Sequence, residues 1–156
     1  MFNNIIHSNT GLFHTIVALL AMVFGTLVIL NNKGTKTHKK MGYVYVLCML
    51  FLNISSFFIV NFGGFSLFHG LAVFSLLNVL GAIIPTLLRV KHWMYFHFYL
   101  MNWSVVGLYC AFWAELGTRF VKNRQQFWWI VFLAMFITSV IGAILINKKA
   151  KQLNLK

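Results

Sequence analysis

Five stretches of about twenty mostly apolar residues run through this chain, separated by short basic or glycine-bearing links. Each is long enough, as a helix, to cross about 30 Å of hydrocarbon. Backbone polar groups in hydrocarbon must be satisfied within the spanning structure, so only helices or closed barrels cross it. A barrel needs short strands with period-two alternation, and these runs lack it. The chain is 60% hydrophobic and 9% charged, where a soluble domain is about a quarter charged. Its mean hydropathy is +0.81. The sequence therefore predicts an all-α polytopic membrane protein, a single integral membrane domain over residues 1–156. Its spans fall at about 11–30, 41–61, 67–88, 93–116 and 127–146.

A net charge of +12 raises the question of nucleic acid. The basic residues fall almost entirely in the links, where they orient spans instead. The expected surroundings are a lipid bilayer, and no nucleic-acid partner is expected. With the N-terminus outside, the inner side holds Lys33, Lys36, Lys39, Lys40, Arg89, Lys91, Lys148, Lys149, Lys151 and Lys156. The outer side holds Arg119, Lys122 and Arg124. Positive charge favours the inside, which places the C-terminus in the cytoplasm of a cell whose inner (plasma) membrane holds the chain. Residues 1–10 contain no Lys or Arg, and the run after them is of full span length. It reads as the first span rather than a signal peptide. Trp93, Trp128 and Trp129 lie near span ends, as interfacial aromatics do. Cys48 and Cys110 sit inside apolar runs without a CxxC pattern, and read as buried apolar thiols.

Spans 1 to 4 carry polar residues that a lipid-facing helix avoids, whereas span 5 carries only Thr138 and Ser139. The expectation is a four-helix core with a peripheral fifth helix able to face a membrane-protein partner. Glu115 is the only acid in the chain. It follows His97 by eighteen residues, five whole helical turns, so the two share a face. His38 and Ser56 are related in the same way. Ionisable groups inside a membrane are costly and mark functional sites.

By depth, His14, His69 and Glu115 form an outer layer and His38 and His97 an inner one. Asn53, Ser56, Ser104 and Arg119 stand as supporting groups. Two imidazoles and a carboxylate suit a transition metal such as zinc, copper or iron. Histidines on neighbouring helices also suit axial ligation of haem, but no large flat cavity is evident in the sequence. Plainer readings exist for each. Glu115 and Arg119 fit an i,i+4 ion pair. His14 and His69 fit hydrogen bonds between helices, and His38 fits a solvated loop. Asn53, Ser55, Asn102 and Ser104 are expected to bond across helices. The sequons that begin at Asn53 and Asn102 lie within spans and are chance matches.

Several stretches carry a resemblance. They are Lys33-Gly34-Thr35, His38-Lys39-Lys40-Met41-Gly42-Tyr43-Val44-Tyr45, Leu52-Asn53-Ile54-Ser55 and Phe62-Gly63-Gly64-Phe65-Ser66-Leu67-Phe68-His69. His97-Phe98-Tyr99-Leu100-Met101, Trp103-Ser104, Glu115 and Arg119 complete the set. From His14 to about Arg119 the chain resembles a family of small bacterial membrane proteins described as domain of unknown function 2306. The resemblance implies a multi-pass architecture and weight on His38, His69, His97 and Glu115. A proline that often follows the terminal arginine in that pattern is replaced here by Phe120. The resemblance implies no activity.

Two functions follow from the residues. One is an intramembrane His/Glu site that binds a metal or redox cofactor, with a redox or metal-handling role. The other is a structural or accessory subunit of a larger membrane complex. A proton relay fits the residue types, but five spans give no inverted repeat. Phosphate-binding loops, serine-nucleophile elbows and HExxH are absent from the sequence.

Overall fold

The structure, a computed structural model, describes residues 9–59, 64–120 and 123–154, with the backbone alone for residues 118–120 and 124. The described residues form five α-helices: α1 Asn9–Leu30, α2 Lys36–Ser56, α3 Leu67–Leu88, α4 Trp93–Phe120 and α5 Arg124–Gln152. This is the all-helical membrane architecture read from the sequence. On length and apolarity alone, α1, α3 and α5 can cross a bilayer. α2 and α4 are diluted by lysine, tyrosine, asparagine and serine. Their partners explain how they are accommodated.

The chain divides into two compact units, Met1–Leu80 and Gly81–Lys156. In the first, α1 and α2 form an antiparallel hairpin. Val17, Ala21 and Gly25 are buried at every fourth position of α1, a row of small side chains that lets a neighbouring backbone approach closely. Tyr45, Cys48, Met49 and Leu52 are buried on α2. At one end the Asn31 amide meets the Met41 sulfur at 3.7 Å. At the other, the Phe13 and Phe51 rings meet edge to face at 6.1 Å. α2 thus runs beside α1 over the same thickness.

Helix ends explain where the expected boundaries shift. Lys33 Nζ donates to the Val28 and Ile29 carbonyls at 2.9 Å each, closing the C-terminus of α1. Gly34 takes the left-handed turn at φ 78°. Thr35 then accepts the His38 N–H at 3.1 Å and starts α2 at Lys36. Residues 36–40, expected as a link, are therefore helical. α2 stops at Ser56, where the Phe57, Phe58 and Ile59 N–H groups bond three residues back. The second helix is thus 36–56 rather than 41–61, and Val60 and Asn61 lie outside the described residues.

In the second unit α5 packs against α4. A Cβ on Gly117 would lie 3.1 Å from Val131 Cγ2, and one on Gly142 would lie 2.5 Å from Val106 Cγ2. Between them the Cys110 thiol donates to the Met135 carbonyl at 3.7 Å. Phe98, Ile146 and Ala150 form a buried cluster at the far end. Within this unit the fifth helix is half of the packing. α4 shares the thickness that the apolar α5 spans. Pro85 lies in the last turn of α3, as the sequence indicated. The α3–α4 turn closes tightly, with Arg89 at φ 52° and His92 at φ 60°. Both thiols are buried and unlinked.

Candidate histidine site

His38 and His69 sit at the same place on two helices. Thr35 precedes α2 and His38 is its third residue; Ser66 precedes α3 and His69 is its third residue. This is the capping-box spacing, with histidine where glutamate or glutamine usually stands. At α3 the box closes. The Ser66 N–H donates to His69 Nδ1 at 3.0 Å, and the Ser66 hydroxyl lies 2.9 Å from the same nitrogen. The ring is buried, 6% exposed. It stacks on Phe65 at 5.1 Å and lies 6.1 Å from Phe57.

That geometry decides the chemistry of His69. A nitrogen that accepts a backbone N–H carries no proton, so the neutral ring carries its proton on Nε2. Neither nitrogen then offers a lone pair to a metal. A ligating histidine shows the reverse, with its second nitrogen donating. The expected ligand is, in this arrangement, the cap of a helix.

His14 has the opposite geometry. Its Nδ1 lies 2.9 Å from Ser55 Oγ. The single Ser55 proton goes to the Leu52 carbonyl at 2.9 Å. His14 Nδ1–H therefore donates to Ser55, and the lone pair of the ring is on Nε2. This is the orientation a ligating imidazole takes. Ser55 is 5% exposed, so the pair is held between α1 and α2.

At the other end of the hairpin the His38 ring is half-buried, ahead of the apolar run that begins at Met41. Burial and the neighbouring Lys33 charge push its pKa below the ordinary 6.5, partly offset by a hydrogen bond to the Val28 carbonyl. His38 is thus neutral at pH 7. Between the folded pKa and 6.5 the unfolded chain binds the proton more readily, so stability is full above that window and falls as pH drops through it. Thermal unfolding of the detergent-solubilised protein from pH 7.5 to 5.5 checks this. Wild type should lose stability relative to His38→Gln as pH falls, and parallel curves would refute it.

His14 contacts residue 55 of α2, and His38 contacts residue 28 of α1. Residues 14 and 28 are about 21 Å apart along the helix. The two imidazoles therefore lie near opposite ends of one hairpin. The 18-residue argument paired His38 with Ser56, but the rings are placed by partners rather than by that spacing. Ser56 Oγ donates to the Asn53 carbonyl at 2.6 Å, and Asn53 Nδ2 to the Met49 carbonyl at 2.8 Å. Asn102 and Ser104 likewise donate to the carbonyls of Phe98 and Met101. Side chains expected to bond between helices return these donors to their own helix. Ser55 also accepts across helices, from His14.

His97 is half-buried on α4, its ring 6.4 Å from that of Trp93. Glu115 is exposed on the same helix. Both belong to the second unit, whereas His14, His38 and His69 belong to the first. The Arg119 side chain lies outside the described residues. Among the described residues no three His, Cys, Asp or Glu side chains gather to hold a metal.

These helices and their polar interior define a small multi-pass α-helical membrane protein. The family model described as Predicted membrane protein (DUF2306) matches residues 11–148. The chain belongs to that family. No curated protein and no solved structure matches it.

The capping role was legible in principle. Thr35-Lys36-Thr37-His38 and Ser66-Leu67-Phe68-His69 both show the spacing in the sequence. The signal is missed when only glutamate and glutamine are sought at the fourth position. With one acid in the chain, histidine fills the role.

Proposed function

We propose that the protein holds a metal ion or redox cofactor in the cell inner membrane through neutral imidazoles. The N-terminus faces outside and the C-terminus the cytoplasm. The observation that carries this reading is His14, whose Nδ1–H is engaged by Ser55 so that Nε2 holds the lone pair. His38, neutral at pH 7 and bonded to the Val28 carbonyl, supports a second position nearer the opposite face. Zinc, copper or iron accepts such ligands, as does haem iron. When bound, the group supplies Lewis acidity or an electron-transfer centre. The chain supplies orientation, through Ser55 and Val28, and a medium of low dielectric.

Protein purified in mild detergent without chelator tests this by elemental analysis and visible absorption. The expected result is near-stoichiometric metal or pigment that His14→Ala loses. Ser55→Ala should weaken retention about 10- to 100-fold, the usual cost of losing an orienting partner. Wild-type protein free of both metal and absorption would overturn the reading.

A second reading is a structural subunit of a larger membrane complex. It is favoured by α5, whose Trp129, Leu133, Phe136 and Ile144 are each at least 60% exposed. A stoichiometric membrane partner that co-purifies, and is lost when Phe136 and Ile144 are replaced by alanine, supports it. A monodisperse, cofactor-loaded monomer rules it out.

A further inference from the structure

Packing in the second unit places two basic segments, far apart in sequence, at the same end of a helix pair. Phe98, in the second turn of α4, is buried in one cluster with Ile146 and Ala150 of α5, and Tyr99 packs against it. The start of α4 is therefore docked beside the end of α5. Arg89, Lys91 and His92 stand immediately before α4, and Lys148, Lys149 and Lys151 flank the buried Ala150. All six are exposed. The only acid, Glu115, lies 22 residues along α4 from Trp93, about 33 Å away. No acidic side chain neutralises this end.

The setting matches a headgroup layer. The Arg89 guanidinium lies 4.6 Å from the centre of the Trp93 ring, a cation–π contact that holds it at the depth an interfacial indole occupies. Tyr95 and Tyr99, with ring centres 4.6 Å apart, continue the aromatic belt below it. The left-handed residues Arg89 and His92 hold the α3–α4 turn short, so its charges cannot move far from the helix ends. Lys149 and Lys151 also complement the α5 dipole. That role needs one or two charges and does not account for the second cluster from the α3–α4 turn.

We infer that the paired ends of α4 and α5 form a seat for the phosphate of an anionic phospholipid, with cations from the α3–α4 turn and the α5 C-terminus converging on one headgroup. Basic pockets between membrane helices take such headgroups, and each juxtamembrane lysine contributes about fivefold in affinity.

The test reconstitutes the full chain in vesicles of equal parts phosphatidylglycerol and phosphatidylcholine. The lipids retained after mild extraction are then counted by native mass spectrometry. Wild type should retain phosphatidylglycerol preferentially, and less so as ionic strength rises. The exposed triple variant Lys148→Gln, Lys149→Gln, Lys151→Gln should lose that preference roughly hundredfold. Arg89→Gln with Lys91→Gln should reduce it independently from the other side of the seat. A control triple variant at Lys36, Lys39 and Lys40, in the first unit, should keep it. No preference in wild type, or an equal loss in the control, overturns the proposal.

Discussion

Gly142→Val is expected to destabilise the protein by about 2–3 kcal/mol and to shift thermal unfolding in detergent down by several degrees. A Cβ at residue 142 would lie 2.5 Å from Val106 Cγ2 and 3.1 Å from Cγ1. No real pair of such atoms tolerates the first distance. Val106 cannot swing clear, because a β-branched residue in a helix is held in one rotamer. The strain therefore moves the helices, and α4 and α5 lose the apposition that places Phe98 on Ile146. Removing a helical glycine returns at most about 1 kcal/mol of propensity, too little to offset the clash. Val106→Ala in the same chain should recover most of the loss, since it removes both clashing methyls. An unchanged unfolding midpoint for Gly142→Val would show that α4 and α5 do not approach at this point.

His69→Ala should cost about 1–3 kcal/mol. It leaves the Ser66 N–H without its Nδ1 acceptor and removes a ring stacked on Phe65. His69→Gln should restore much of that loss, because glutamine serves the capping box. The pair of variants separates two roles for this residue. If His69 is a helix cap, Gln rescues stability and leaves any bound metal or pigment in place. If it were a ligand, Gln would restore neither metal nor pigment. Equal destabilisation by Ala and Gln would dismiss the capping role.

The membrane class, the number of helices and the position of Pro85 were legible in the sequence. Span-length apolar runs leave the backbone one way to satisfy itself. The boundaries of α2 were less legible, because hydropathy marks where the chain enters hydrocarbon. Thr35, by accepting the His38 N–H, starts the helix five residues before that point. The helix pairings were not legible. Small residues such as Gly117 and Gly142 have little hydropathy signal, yet they let α4 and α5 approach closely.

The candidate site divides in the same way. That costly polar groups lie on the first four helices was plain from their types and positions. Which nitrogen of each ring has a proton was not, because that depends on one partner atom. Ser55 Oγ accepts from His14, whereas the Ser66 N–H donates to His69, and the two histidines acquire opposite chemistry.

Sequence alone determined that this chain lives in a bilayer as helices, because the free energy of an unpaired peptide group in hydrocarbon leaves no other solution. Tertiary structure decided that His14 presents a lone pair, through its bond to Ser55 on another helix. It also decided that the start of α4 packs beside the end of α5. The first rests on a bond of 2.9 Å between residues 41 apart in the chain, and the second on the burial of Phe98 with Ile146 and Ala150, both set by close packing rather than by periodicity.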